Sequence, residues 1–313
     1  MIRKIFLTCL CFFCAACFSG GTASAVGPGD IVIQVNPADQ EVELIPGESI
    51  EAQIKVSNVG RLPFSFTPLA RPYQVLNDTY DPDFSTENSY TKLHNWITFE
   101  SPEYHLEPNA EVLVNFRIDV PDDAPAGGQY AAVIFETRDS IDAAATFQAI
   151  NQIASLLYAH VAGETHEMGL LMTHSIPFLR LGSPIIVTTN VKNDGNIDFR
   201  VGHKMTIWNF FTGEEIINPE TVANDGTTPG SSSPPILPAT SRFNQLSWDG
   251  TPALGLFRVR QEITFLDENH AFEQLVFVCP IWLVLLMLFF IFLLIFWIIL
   301  RIHGRKQHRP QVV

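Results

Sequence analysis

The chain has 313 residues, with 33 acidic residues against 19 Lys and Arg, and a formal net charge of −14. A field of this sign repels nucleic acid, so the composition excludes a nucleic-acid partner. The 21 prolines and 24 phenylalanines favour short strands joined by stiff turns over a bundle of helices.

The first 25 residues have the pattern of a secretory signal peptide. Arg3 and Lys4 precede an apolar run over 5–18, and the small residues that follow end in Ala23-Ser24-Ala25. We expect cleavage between Ala25 and Val26. A first transmembrane helix is the alternative, but the run is shorter than the roughly 20 residues that a bilayer requires.

Residues 26–163 are predicted to form an immunoglobulin-like β-sandwich. Apolar and polar residues alternate over 50–57 and again over 112–120, which is the pattern of strands with one face in a core. About seven such strands are expected in this first domain. Tyr130 follows the turn 125–128, and is either the tyrosine that corners into a late strand of such sandwiches or an ordinary buried tyrosine.

Residues 164–275 are predicted to form a second sandwich of the same kind. Its expected strands lie at 185–191, 199–211, 242–248, 254–266 and 272–275. The polar segment 224–235 is predicted to be a loop, because it is rich in Gly, Ser, Thr and Pro.

A short motif occurs once in each predicted sandwich. An alternating strand ends at Asn58-Val59-Gly60 in the first and at Asn193-Asp194-Gly195 in the second. This pattern indicates an internal repeat of one fold, although a shared hairpin turn is the alternative explanation.

The apolar stretch 276–300 predicts one transmembrane helix, with Trp282 and Trp297 toward its ends. Positive charge beside a span stays on the cytoplasmic side, so residues 301–313 are expected inside and the rest of the chain outside. The cations that set this topology are Arg301, Arg305, Lys306 and Arg309.

The portion between the signal peptide and the helix contains no cysteine. The five cysteines of the chain are Cys9, Cys11, Cys14, Cys17 and Cys279. Disulfide staples and zinc–thiolate sites are therefore excluded from the predicted ectodomain. The same portion carries 33 acidic residues against 13 Lys and Arg, a net charge of −20.

One acidic loop is a candidate calcium site. It contains Asp78, Asp81, Asp83 and Glu87, whose oxygens are of the kind that calcium prefers. The spacing lacks the glycine and the regular acids of an EF-hand, so a solvated acidic loop is the alternative.

The residues give no reaction chemistry, so the protein is predicted not to be an enzyme and to need no cofactor. His166-Glu167 begins like a zinc-protease motif, but Leu170 stands where the second histidine would be. No nucleophile elbow or phosphate-binding glycine loop is present.

The layout resembles the WxL-interacting surface proteins of Gram-positive bacteria. The resemblance spans nearly the whole chain, and the residues that carry it are the signal peptide, the strand 48–60 after Pro46-Gly47, the segment 120–135, the turn 193–196 and the C-terminal helix with its basic tail. It implies that the outer domain binds peptidoglycan and that the inner domain binds a partner or host protein.

These patterns predict a membrane-anchored extracellular binding or scaffolding protein. Its two sandwiches would be presented to a cell-wall polymer or to a surface protein. The alternative is a non-catalytic accessory subunit of a membrane complex, and an extracellular hydrolase is a further alternative.

Overall fold

The computed structural model describes residues 31–76, 80–139, 151–217 and 234–306. The predicted signal peptide, its cleavage site between Ala25 and Val26, and most of the predicted polar loop lie outside these ranges. Within them, the chain forms two β-sandwiches followed by one helix, so the predicted fold class is confirmed.

The first sandwich is built from the strands before residue 162. They are β1 (Ile33–Asn36), β2 (Asp39–Leu44), β3 (Ser49–Asn58), β4 (Phe64–Pro72), β5 (Gln74–Leu76), β6 (Asp81–Asp83), β7 (Ile97–Phe99), β8 (Tyr104–Leu106), β9 (Glu111–Asp119), β10 (Gly127–Asp139) and β11 (Gln152–Val161). A 3-10 turn, Lys92–Asn95, precedes β7.

Two sheets face each other in this sandwich, with strand orders β1-β3-β9-β7 and β2-β11-β10-β4-β8. Strands β2 and β11 are parallel, and the other pairs are antiparallel. Strands β5 and β6 form a separate hairpin. The sheets thus contain more strands than the seven expected, because several short edge strands extend them.

The core of the first sandwich is one continuous apolar cluster. The alternation predicted for β3 and β9 places Ile54 opposite Val114, and both are fully buried. Phe64, Phe66 and Phe135 fill the same space from the opposite sheet. The period-two pattern of the sequence therefore identified the core face of these strands correctly.

The second sandwich follows from residue 169. Its strands are β12 (Gly169–Ser175), β13 (Leu179–Arg180), β14 (Ile185–Asn193), β15 (Gly202–Asn209), β16 (Glu215–Ile217), β17 (Ser241–Trp248), β18 (Gly255–Phe265) and β19 (Glu268–Val278). The sheets have the orders β12-β14-β17 and β13-β19-β18-β15-β16. Its buried apolar residues form two clusters instead of one.

The predicted strand 199–211 is wrong at both ends. Strand β15 is shorter, because Phe199 forms only an isolated bridge to Ile236 and Phe210 already lies in a turn. The Asn209 side chain accepts hydrogen bonds from the next backbone amides, which ends the strand by turning the chain.

The predicted helix 276–300 begins too early. Val276 and Val278 belong to β19 and are fully buried in the second core, and helix α1 spans Ile281–Lys306. Pro280 stands immediately before the helix, and its carbonyl accepts from the Leu283 amide at 3.0 Å. A continuous apolar run does not show where a buried strand ends and a helix begins, because hydropathy is equal in both.

The repeated asparagine motif has the same geometry in both sandwiches. Asn58 and Asn193 are buried, and each side-chain NH2 group donates to the carbonyl four residues ahead and to a carbonyl of a distant segment. Each Oδ1 accepts from the glycine amide two residues ahead. The distances are 2.9 Å to Leu62, 3.2 Å to Leu106 and 2.9 Å to Gly60 for Asn58, and 2.8 Å to each of Ile197, Ile236 and Gly195 for Asn193.

The backbone of each asparagine also repeats its contacts. The Asn58 carbonyl accepts from Asn109, and the Asn193 carbonyl accepts from Ala239, both of which have positive φ. A hairpin turn alone would not reproduce contacts with a segment more than 40 residues away. The repeat interpretation is therefore the one that the geometry favours.

Candidate functional site

The two sandwiches meet in a buried polar junction centred on Asp198. Its Oδ1 accepts a hydrogen bond from the Tyr130 hydroxyl at 2.8 Å and lies 2.9 Å from His160 Nε2. The Asp198 side chain is only 6% exposed. A carboxylate with so little water around it needs such partners, so the junction depends on residues from both sandwiches.

The contacts with Asp198 shift the pKa values of its partners. The hydrogen bond to Asp198 raises the pKa of His160 above its ordinary value of 6.5, and burial opposes that effect. Burial, reinforced by the neighbouring Asp198 carboxylate, raises the pKa of Tyr130. The charged form of the histidine is therefore favoured at this site, and the phenol remains a proton donor.

An aromatic cluster surrounds the polar centre on the side of the first sandwich. The Tyr158 ring centroid lies 5.9 Å from that of Tyr130 and 6.0 Å from that of Tyr73, with steep interplanar angles. Leu237 of the second sandwich is buried in the same cluster. The junction therefore has an apolar component as well as the ion pair.

The tip of the β5–β6 hairpin extends this contact. The Tyr80 hydroxyl donates to the Pro235 carbonyl and accepts from the Leu237 amide at 3.0 Å. The Arg242 guanidinium lies 4.7 Å from the centroid of the Tyr80 ring. Because Tyr80 belongs to the first sandwich and its partners to the second, the hairpin fixes their relative position.

Backbone groups also join the two units. The Gly128 amide donates to the Asn196 carbonyl at 2.7 Å, and Asn196 Nδ2 donates to the Ala126 carbonyl at 3.3 Å. Gly127 has φ +104, and a Cβ there would lie 2.3 Å from the Asn196 carbonyl oxygen. Only glycine allows these two segments of the backbone to approach so closely.

An exposed rim of charge surrounds the junction. Arg200 of the second sandwich lies 2.6 Å from a Glu41 carboxylate oxygen of the first. His160 Nδ1 lies 3.3 Å from Glu43 Oε1, so the histidine contacts a carboxylate with each ring nitrogen.

Strand β12 offers a different kind of surface. It pairs with β14 along one edge, and the described residues place no strand along its other edge. The Leu170 and Met172 side chains are exposed, and the register shifts at Met172. An edge of this kind has free backbone donors and acceptors beside apolar side chains.

A shallow groove of about 780 Å³ lies on the outer face of β3, β9 and β7. Its lining is mostly polar and comes from β3, β9 and the end of β7, with Glu51, Arg117 and Glu100 among the residues. Open grooves of this composition differ from the concave apolar pockets that hold small molecules.

Carboxylates of the acidic loop form hydrogen bonds and ion pairs with neighbouring protein groups. Asp83 accepts from Gln74 Nε2 at 2.8 Å and from the Ser85 amide and hydroxyl, and the Ser85 hydrogen bonds lower the Asp83 pKa. Glu87 contacts Lys92 and His94.

The described part of the chain contains no group of three His, Cys, Asp or Glu that could hold a metal. Asp81 lies in β6, beside Asp83, whereas Asp78 lies outside the described residues. The calcium site stays a prediction.

The topology residues are described only in part. The Arg301 guanidinium lies 5.0 Å from the centroid of the Trp297 ring, at the end of the apolar helix. Arg305 and Lys306 belong to the last turn of α1, and Arg309 lies outside the described residues.

Sequence reasoning missed Asp198 and left two interpretations of Tyr130 open, of which the buried tyrosine is confirmed. A corner tyrosine would bond to the backbone of its own sandwich, but the Tyr130 hydroxyl bonds to Asp198 of the other one. The corner interpretation is therefore wrong. The two residues are 68 positions apart, and no local spacing indicates that they meet.

Comparisons with known proteins give a likeness of fold. No family model matches, and no curated protein matches. The YadV chaperone structure has a TM-score of 0.38 at 10% identity, covering 80% of this chain and 100% of its own. The SafB chaperone of Salmonella enterica, in complex with the SafA pilin, has a TM-score of 0.35 at 12% identity, covering 78% and 96%.

The E. coli chaperone DraB has a TM-score of 0.35 at 11% identity, with 78% of this chain and 97% of that chain covered. At such identities and scores the likeness concerns the sandwich layout alone, and no argument about activity or partners follows from it. The resemblance to WxL-interacting proteins has no match behind it and stays a prediction.

Proposed function

We propose that the chain is a membrane-anchored binding or scaffolding protein that presents two rigidly joined sandwiches outside the cell. Helix α1 contains a candidate span, Ile281–Arg301, of 21 residues, and none of it is buried against the rest of the described chain. A helix of that length is about 32 Å long, which matches the hydrocarbon thickness of a bilayer.

The cations after this span support an orientation with the tail inside. Arg301 follows the apolar residues directly, and Arg305 and Lys306 lie in the final turn of α1. Positive charge next to a span is retained in the cytoplasm, so the sandwiches would be outside. Protease access to intact cells tests this orientation, and a protected ectodomain would contradict it.

The observation that carries the binding role is the free edge of β12. The strand has the sequence GLLMTHS, which contains neither the Lys nor the Pro that commonly protects an exposed edge. Leu170 is exposed beside this edge. The surface therefore suits a protein segment that adds a strand, with backbone hydrogen bonds for affinity and apolar contacts for selectivity.

The test uses the full chain, solubilised in mild detergent, as bait for extracts of cell walls and membranes. Leu170→Lys places a charge on the β12 edge, and we expect the captured protein to be lost. Leu113→Lys is the matched control, because Leu113 has similar exposure but lies on β9 of the first sandwich, away from the β12 edge.

The alternatives appear as different results of the same capture. Retention of purified wall polymer that is unaffected by Leu170→Lys would favour the polymer partner. A membrane protein that is captured by both variants would favour an accessory subunit docked through α1. Either result would contradict binding through β12.

A further inference from the structure

The end of the second sandwich from which α1 emerges has an unusual composition. Five phenylalanines outside α1 are exposed in the described residues, and all belong to this sandwich. Phe178, Phe210, Phe211 and Phe277 lie at the α1 end, whereas Phe243 lies in β17. Scattered apolar residues are normal on a surface, but a cluster at one end requires an explanation.

Strand register places these side chains at one level. Val278 is opposite Gly255, so Leu254 stands level with the residues that lead into α1. The Phe210 amide donates to Leu256, which is opposite Phe277 in β19. The Phe277 amide in turn donates to the Phe178 carbonyl at 2.8 Å.

The start of the helix is fixed to this end of the sandwich. Cys279 is buried, and its amide donates to the Arg180 carbonyl at 2.9 Å. Helix α1 begins only two residues later, at Ile281. No flexible linker separates the sandwich from the helix, so the sandwich end lies where the helix enters the membrane.

The tryptophans of α1 mark the level of the membrane surface. Trp282 is the second residue of the helix, and Trp297 lies 15 residues farther on, about 22 Å along the axis. Tryptophan prefers the interface between headgroups and acyl chains. With Trp282 at that level, the turns of the sandwich end reach the headgroups.

We propose that this end of the second sandwich is seated in the bilayer surface, with its apolar side chains inserted among the headgroups around α1. We name Phe178, Leu181, Phe210, Phe211, Leu254 and Phe277 the apolar collar. The inference rests on the proposed membrane anchoring and adds a fixed orientation of the ectodomain on the lipid.

The charge near the collar indicates how it binds. The exposed Glu214 and Glu215 follow Phe210 and Phe211 closely along the chain, and Glu215 begins β16. Their carboxylates repel anionic lipid, so insertion depends on burial of apolar area and suits zwitterionic headgroups. The most exposed collar residue is Phe211, at 79%.

The test is lipid photo-crosslinking of the full chain in phosphatidylcholine nanodiscs. Phe211 or Phe178 is replaced, one at a time, with p-benzoylphenylalanine, which keeps the aromatic ring. Phe243 is the matched control, because it is also exposed but lies far from α1. It pairs with Asn190, about 17 Å along β14 from Ile185, which packs with Val278 at the α1 end. Equal melting temperatures of the three variants confirm that each has folded.

We expect lipid adducts at positions 178 and 211 and none at position 243. Adducts at none of the three, in a chain that stays in the nanodisc, would overturn the collar and leave the membrane anchor intact. Adducts at all three would also overturn it, because the sandwich would then lie on its side. A chain that does not enter the nanodisc would contradict the anchoring itself, and the collar with it.

Discussion

The two sandwiches share the repeated asparagine motif of Asn58 and Asn193 but differ in how they bury apolar residues. The first encloses a continuous core and exposes no phenylalanine among its described residues. The second divides its core into two clusters and leaves phenylalanines at the end that leads into α1. The first sandwich therefore buries its phenylalanines, and its remaining apolar cluster lies at the junction, whereas the second sandwich leaves phenylalanines on its surface beside α1.

The largest expected effect comes from the shared asparagine. Asn58→Ala and Asn193→Ala each leave two carbonyls and one glycine amide without their buried partner. We expect each to lower the free energy of unfolding by about 3 kcal/mol or more, because unsatisfied buried groups are costly. Denaturant unfolding of the full chain in detergent measures the loss.

Asn115→Ala is the control for both changes, since its side chain is exposed and hydrogen-bonds to the exposed Glu100. Its effect should stay within about 0.5 kcal/mol. If one buried asparagine proves dispensable while the other does not, the motif does not stabilise the two sandwiches in the same way.

The next effect concerns the junction. Tyr130→Phe removes the hydroxyl that donates to the buried Asp198 carboxylate, and we expect a loss of roughly 2 kcal/mol. The two sandwiches, which should unfold together in the native chain, should then separate into two transitions by calorimetry. Tyr104→Phe is the control, because Tyr104 packs within the first sandwich against Phe66.

A smaller effect should appear as a pH dependence of the same junction. Because Asp198 raises the pKa of His160 in the folded chain, the contribution of His160 to stability is complete below the unfolded pKa of about 6.5. It is lost as the pH rises through the folded value. The Asp198 and Glu43 carboxylates contact this histidine directly, and the Tyr130 hydroxyl donates to the same Asp198 oxygen.

His160→Gln should weaken the dependence of the melting temperature on pH above about pH 6.5, relative to the native chain. His105→Gln is the matched control, because His105 is exposed and pairs with Glu107 within the first sandwich. A pH profile that His160→Gln leaves unchanged would show that another group titrates.

The smallest effect is expected at the rim. Glu41→Gln weakens the contact with Arg200 between the sandwiches, and both side chains are accessible to solvent. We expect less than about 1 kcal/mol, because exposed ion pairs contribute little. A loss as large as that of Tyr130→Phe would place the stability of the junction in its rim instead of in its buried centre.

Much of the fold could be predicted from sequence, since the alternation in β3 and β9 identified the inward faces and the motif at Asn58 and Asn193 indicated the repeat. The ends of elements were less secure, as β15 and the start of α1 show. The candidate sites were less predictable still. The role of Asp198 depends on Tyr130 and His160, which lie far away along the chain.

The sequence by itself determined two patterns of this chain: the alternation of apolar and polar residues in its strands and the unbroken apolar run of α1. Both are local, because a strand face and a membrane span are set by neighbouring residues. Only the tertiary structure decided which polar residues meet at Asp198, which edge of β12 stays free and which turns surround the start of α1. These depend on how distant segments pack, and packing contacts leave no period in the sequence.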